Sequence, residues 1–207
     1  ARAEQALEWR RVWDGVPSRP MVTEAGPSDP VPASPVPVFQ PRPWQAAALA
    51  SLTAIRREGY AKALVAVATG LGKTWLAAFD AVAHGKSLGR APRVLVIAHR
   101  AEILAQAEVT LRQALDPVSV SWCAGASSDL SGQLVIASIQ KLSSSSGLAL
   151  LDQASPFDYC VVDEVHHAEA PSYRRVLARL KSLFTLGLTA TPERTDGVDV
   201  ATLFDDI

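Results

Sequence analysis

From Ala63 the chain runs through an apolar stretch to Ala68, then Thr69-Gly70-Leu71-Gly72-Lys73-Thr74, then a second apolar stretch from Trp75 to Ala83. A buried strand, a tight glycine turn and a buried helix in succession form the layout of a phosphate-binding loop. Gly70 and Gly72 let the backbone curl, so that its N–H groups point inward at phosphate oxygens. A helix starting near Lys73 adds the positive end of its dipole. Lys73 can neutralise β- and γ-phosphates, and the Thr74 hydroxyl is placed to ligate Mg²⁺. Val67 stands where the longer pattern has a glycine six residues before the lysine, so the match is to the shorter form, Ala-Thr-Gly-x-Gly-Lys-Thr. Taken alone, the segment could also be an ordinary turn, and a second signal downstream bears on that choice.

A chain of 207 residues suits one domain with a sizeable core and some tail. No run is long enough to cross a membrane. The first residues carry charges and Trp where a secretory signal needs an apolar block, which argues against secretion. The formal net charge is −1, so the chain as a whole is not a basic nucleic-acid binder. Any such contact must be local or shared with another segment. Cys123 and Cys160 make neither a disulfide framework nor a metal site. Cys160 lies in an apolar run and reads as a small core residue, and a cytoplasmic, reducing setting fits.

Residues 1–38 read as a short helix around Leu7, Trp9, Val12 and Trp13 followed by a Pro-rich linker. The domain boundary falls near Phe39, leaving 39–207 as the folded unit. Pro43 suits a first helical position, the helix continues from Ala46 to Arg57, and Gly59 ends it. Gln45 on this helix can donate and accept at once, as an adenine edge requires, or it can be a surface glutamine. Strands are expected at 93–98, 118–122, 133–137, 157–162 and 183–188, most of them continuously apolar and separated by helices. That pattern indicates a parallel sheet covered on both faces. Helix 75–83 is expected to end at His84, Gly85 and Gly89. Ser143 to Ser146 with Gly147 reads as a low-complexity loop.

Polar residues collect where these strands end, at the ligand-bearing edge of such sheets. His99 and Arg100 follow one strand. Arg100 can contact a phosphate, or it can pair with Glu102. Ser138, Gln140 and Lys141 follow another, able either to hold a nucleic-acid backbone or to cap a helix. After Phe157 to Val162 come Asp163-Glu164-Val165-His166-His167. Asp163 can hold a Mg²⁺ shell with Thr74, and Glu164 can orient and deprotonate an attacking water. A solvated cap is the alternative, weakened because the pair follows a phosphate loop by about three βα units. A zinc site at Cys160, His166 and His167 is a poor fit, since adjacent histidines diverge. Thr189 and Thr191, in Thr189-Ala190-Thr191-Pro192, can relay the nucleotide state or serve simply as a strand end.

Taken together, these segments resemble the first RecA-like lobe of a helicase superfamily 2 ATPase. Ala68 to Thr74 is similar to motif I and Val94 to Gln106 to motif Ia. Ile136 to Leu142 is similar to motif Ic, Asp163 to His166 to motif II in its Asp-Glu-x-His form, and Thr189 to Pro192 to motif III. Gln45 resembles the adenine-reading glutamine. Asp-Glu-Val-His-His, a downstream Ser-Tyr-Arg-Arg-Val-Leu, and Gly-Leu-Thr-Ala-Thr-Pro-Glu-Arg-Thr-Asp-Gly resemble the branch of type III restriction subunits and excision-repair helicases, ResIII. Val165 replaces the commoner Ala of motif II.

The resemblance implies a three-layer α/β P-loop NTPase domain with a mostly parallel sheet. ATP would be held by Gln45, Thr69, Gly70, Leu71, Gly72, Lys73 and Thr74, with Mg²⁺ on Thr74 and Asp163. Lys73, Asp163, Glu164 and His166 would be catalytic. His99, Arg100, Ser138 and Gln140 would contact nucleic acid, DNA rather than RNA, and Thr189 and Thr191 would couple the two. The family's second RecA-like lobe supplies arginines to the transferring phosphoryl group. No later motif follows here, so the chain is expected to be a nearly inactive fragment of a DNA motor. The competing expectation is a nucleotide-responsive scaffold module without motor activity.

Overall fold

The computed structural model describes residues 39–116, 118–164 and 170–190. Twelve elements follow in chain order: α1 (Pro43–Arg57), β1 (Lys62–Ala66), α2 (Lys73–Leu88), β2 (Val94–Ala98), α3 (Ala101–Leu115), β3 (Val120–Cys123), β4 (Leu134–Ser138), α4 (Ile139–Leu142), α5 (Ser145–Gln153), β5 (Phe157–Val162), α6 (Ala170–Leu177) and β6 (Ser182–Thr189). The strands form one sheet in the order β1-β6-β5-β2-β4-β3. Every pairing is parallel.

Period-two alternation along the strands builds two cores. Val94, Val96 and Ala98 face one side with Ile136, Val161 and Leu186, where Leu52 of α1, Ala77, Ala78 and Ala81 of α2, and Leu104, Ala107 and Leu111 of α3 pack on them. Leu95 and Ile97 face the other side with Val135, Ala137, Cys160 and Val162, covered by Leu142 of α4, Leu151 of α5, and Tyr173 and Val176 of α6. This is a three-layer α/β/α arrangement, and burying every residue of β2 and β5 explains the apolar run of β2 and, Asp158 apart, that of β5. Among the described residues no helix is long and apolar enough to cross a membrane.

The structure corrects two local expectations. Helix α2 continues through His84 and Gly85 to Leu88, and Gly89, at φ 69°, caps it. Gly85 is needed inside the helix for space, because a Cβ there would come within 2.5 Å of Pro92 Cδ. The serine run is not a loop. Ser144 Oγ accepts the Gly147 N–H at 3.0 Å and caps α5, and Gly147 packs so closely on the Lys141 carbonyl that a Cβ would overlap it. Sequence polarity alone does not separate a run of caps from a run of loop residues.

At the opposite end of the sheet, Arg90 makes two bonds to Asp158, at 2.7 and 2.5 Å, and the Arg93 N–H donates to the same carboxylate at 2.7 Å. Burial would raise the Asp158 pKa, but these donors hold it below the usual range.

Candidate nucleotide site at the C-terminal strand edge

Parallel register gathers the polar strand ends at one edge. Ala66 of β1 pairs with Thr189 of β6, and Ala98 of β2 with Ala98's neighbour in the sheet, Ser138 of β4. Beyond the strands the backbone stays tied, with Val67 N–H donating to Thr189 O at 2.9 Å and Asp163 N–H to Ile97 O at 2.9 Å. The glycine loop, the acidic pair and the Thr189 strand end therefore occupy neighbouring positions on one edge.

The loop turns through Gly70 at φ 80° and Gly72 at φ 93°, left-handed values that a side chain would strain. Gly72 is the N-cap of α2, and no side chain caps that helix. The first-turn N–H groups and the helix dipole therefore favour an anion. Lys73 opens the helix at 8% exposure, and its Nζ has no hydrogen-bond partner. Such a buried ammonium calls for an anionic acceptor. Thr74 beside it is half-buried, and Thr69, Gly70 and Leu71 are exposed.

Gln45 is 2% exposed. Its Oε1 accepts the Arg42 N–H at 2.8 Å and its Nε2 donates to Gly72 O at 3.0 Å. The side chain thus braces the start of α1 against the end of the loop. One Nε2 proton and one Oε1 lone pair remain for another partner. This bracing is invisible in sequence, because the two bonded groups lie 27 residues apart.

Asp163 is 6% exposed. Burial raises its pKa, and neither the Glu164 N–H, which donates to Oδ1 at 2.8 Å, nor the nearby Lys73 charge cancels the effect. A buried carboxylate oxygen near an unpartnered ammonium is a donor set that suits a hard divalent cation and a polyphosphate together. Glu164 has φ 50°, the one positive value outside glycine among the described residues. Strain of this kind collects at functional sites. Tyr173, within the Ser-Tyr-Arg-Arg segment, carries no local sequence signal of a site residue. It is 1% exposed, its hydroxyl has no hydrogen-bond partner, and its pKa is pushed up by burial and by the charges of Asp163 and Glu164.

His99, Arg100, Ser138 and Gln140 also come together. Gln140 Nε2 donates to His99 O at 3.0 Å, and Arg100 Nε donates to His99 Nε2 at 3.0 Å. Of the alternatives open for Ser138, the cap is made, its Oγ accepting the Lys141 N–H at 3.2 Å. Arg100 is the N-cap of α3 and turns to His99. His166 and Thr191 lie outside the described residues, as does the segment 1–38.

The family model for the type III restriction enzyme res subunit, ResIII, matches residues 38–194. A Schizosaccharomyces pombe protein named as a mitochondrial ATP-dependent helicase, irc3, is 29% identical over 177 residues, 80% of this chain and 28% of that protein. The chain thus spans under a third of that relative's length. Among solved structures, the Sulfolobus solfataricus SWI2/SNF2 ATPase core in complex with double-stranded DNA is similar over 79% of this chain and 35% of its own, with TM-score 0.62 and 19% identity. A nuclease-deletion mutant of the Type ISP restriction-modification enzyme LlaGI, in complex with a DNA substrate mimic, aligns over 78% of this chain and 18% of its own, with TM-score 0.61 and 16% identity. At these identities the structures speak to the fold alone, and they agree with the three-layer sheet described above. With the ResIII model matching most of its length, this chain belongs to the ResIII branch of helicase superfamily 2 and carries the first RecA-like, ATP-binding lobe of that family.

Proposed function

We propose that this lobe binds ATP with Mg²⁺ and, within a longer parent protein, hydrolyses it to drive movement on DNA. The observation that carries the reading is the buried, unpartnered Lys73 ammonium at the uncapped start of α2. Thr69 to Thr74 would cradle the phosphates, with Lys73 neutralising the terminal ones. Thr74 and Asp163 would hold Mg²⁺, which supplies neutralisation of the phosphate charge when bound. Glu164 would orient the attacking water and take its proton. Gln45 would face the adenine with the donor and acceptor left to it. His166 would join the catalytic set, and Thr189 and Thr191 would report the nucleotide state toward the nucleic acid.

DNA is the proposed track. It would meet His99, Arg100, Ser138 and Gln140, which the register assembles at one edge. The support for DNA is the ResIII membership together with structural neighbours that were solved in complex with DNA or a DNA substrate mimic. A second RecA-like lobe of the parent would close over the nucleotide and bring arginines to it. The proposed domain division is a segment 1–38 and a lobe 39–207. The proposed setting is cytoplasmic, on the ground that Cys123 and Cys160 are buried thiols rather than a disulfide.

The test is ATP hydrolysis by the full-length parent with no nucleic acid, single-stranded DNA, duplex DNA or RNA, beside its Lys73→Ala variant. DNA-stimulated turnover that is lost in the variant is the expected result. Turnover indifferent to every nucleic acid would instead assign the lobe to a nucleotide-responsive module.

A further inference from the structure

Away from the strand edge, α1 and α2 enclose a hollow of about 300 Å³ lined by Thr53, Arg56, Arg57, Ala83, His84 and Ser87. His84 lies eleven residues along α2 from Lys73, about 16 Å at a helical rise of 1.5 Å per residue. It is therefore separate from the phosphate loop. We propose that this hollow binds a small organic phosphate, a phosphomonoester held by Arg57, Arg56 and His84.

His84 is 8% exposed, and neither of its ring nitrogens has a hydrogen-bond partner. The Asp158 carbonyl approaches the ring as a weak acceptor, short of full hydrogen-bond geometry, and raises its pKa. The ring packs at a tilt on Tyr159 and Phe184, with centroids 5.9 and 6.3 Å away. Buried polar groups are rarely left so, and an imidazole needs one acceptor and one donor. The lining hydroxyls cannot donate to it, since Thr53 Oγ1 donates to Leu49 O at 2.8 Å and Ser87 Oγ to the His84 carbonyl at 2.6 Å.

The charge in the hollow selects the ligand. Asp80, the buried acid of this region, is consumed by two bonds from Arg56, at 2.6 and 2.8 Å, and one from Tyr159 Oη at 2.6 Å. Arg56 keeps further N–H donors and lies 4.7 Å over the Phe184 ring. Arg57 adds a second cation, exposed on the last turn of α1, with no ion pair among the described residues. Two guanidinium groups beside an unpartnered imidazole suit a phosphate. A phosphomonoester titrates near pH 6, so its monoanion both accepts from a ring N–H and donates to a ring N, which a carboxylate cannot do. The volume sits at the lower end for small-molecule sites, so the ligand carries a modest organic portion.

Three groups, with burial, act on the charge of His84 from the elements around it. Burial and Arg56 lower its pKa, and Asp80 and Asp158 raise it. A bound phosphate adds negative charge and raises it further.

The experiment follows the histidine ring signals of the full chain by NMR, in a Lys73→Ala background that silences the phosphate loop. His84→Phe, which keeps an aromatic ring against Tyr159 and Phe184, assigns the His84 signals by their loss. Inorganic phosphate and glycerol 3-phosphate are the probes. The expected result is a saturable shift of the His84 signals with both compounds, an upward move of the His84 titration, and affinity about tenfold weaker in Arg57→Ala, the loss of one charge-assisted bond. Unmoved His84 signals, or equal affinity in Arg57→Ala, overturn the site. A response to inorganic phosphate alone overturns the phosphomonoester assignment.

Discussion

Asp163 holds a carboxylate where its surroundings disfavour charge. Burial outweighs the help of the Glu164 N–H and the Lys73 ammonium, so its pKa lies above the ordinary carboxylate range. An acid with a raised folded pKa costs stability that grows as pH rises from the unfolded value through the folded one. Asp163→Asn is therefore expected to raise the melting temperature of the ligand-free chain at neutral pH. The gain should shrink toward zero as the pH falls below the unfolded pKa. The same change should weaken Mg²⁺-dependent nucleotide binding, and a thermal melt with and without Mg²⁺-ATP at two pH values checks both arms. Glu164 tests the chemistry rather than the binding. Glu164→Gln in the parent protein should keep ATP affinity and lower turnover by about 10²-fold or more, the usual scale for a general base. Retained turnover would remove Glu164 from that role. At this scale the sequence showed the residue types but not their partners. Lys73, Thr74 and Asp163 were legible because their neighbours in sequence set their chemistry. The brace from Gln45 to Gly72 and the placing of Tyr173 near the acidic pair depend on contacts across the fold.

Among the elements, strands were the easiest to read. β2 and β5 are buried on both faces, so their positions are apolar except Asp158, whose charge Arg90 and the Arg93 N–H satisfy at the far end of β5. Helix ends were harder. Gly85 looks like a stop signal, yet it sits inside α2 because Pro92 presses on it, and that contact is tertiary. α5 is the clearest case. Ser144 is its N-cap, Ser145 and Ser146 are in its first turn, and Gly147 is selected by closeness to the Lys141 carbonyl rather than by flexibility. Gly147→Ala should thus destabilise the fold, against the usual gain from replacing glycine in a helix. A cost of about 1–3 kcal/mol is expected for the overlap, read from urea unfolding midpoints. A stabilised variant would show that α5 can move away from α4 at no cost.

For the molecule as a whole, the proposed function makes the edge that carries the loop and the acidic pair one wall of a site, and the chain spans 28% of its irc3 relative. An arginine supplied from outside a nucleotide site is worth on the order of 10³–10⁵ in rate. This chain alone should accordingly turn over ATP at least about 10³-fold more slowly than its parent, measured by phosphate release at saturating nucleotide. Comparable rates would mean the lobe needs no such partner. The order of the strands has a further effect. β1, which feeds the phosphate loop, is one of the two edge strands, and among the described residues its ladder runs only to β6. The loop hangs from an edge of the sheet, whereas the acidic pair follows β5, which is flanked on both sides. Amide hydrogen exchange should register this as two classes, with fast exchange in Lys62–Ala66 and slow exchange in Phe157–Val162. Nucleotide should then slow the first class far more than the second, so that ligand binding is felt as the stiffening of a margin rather than of the core.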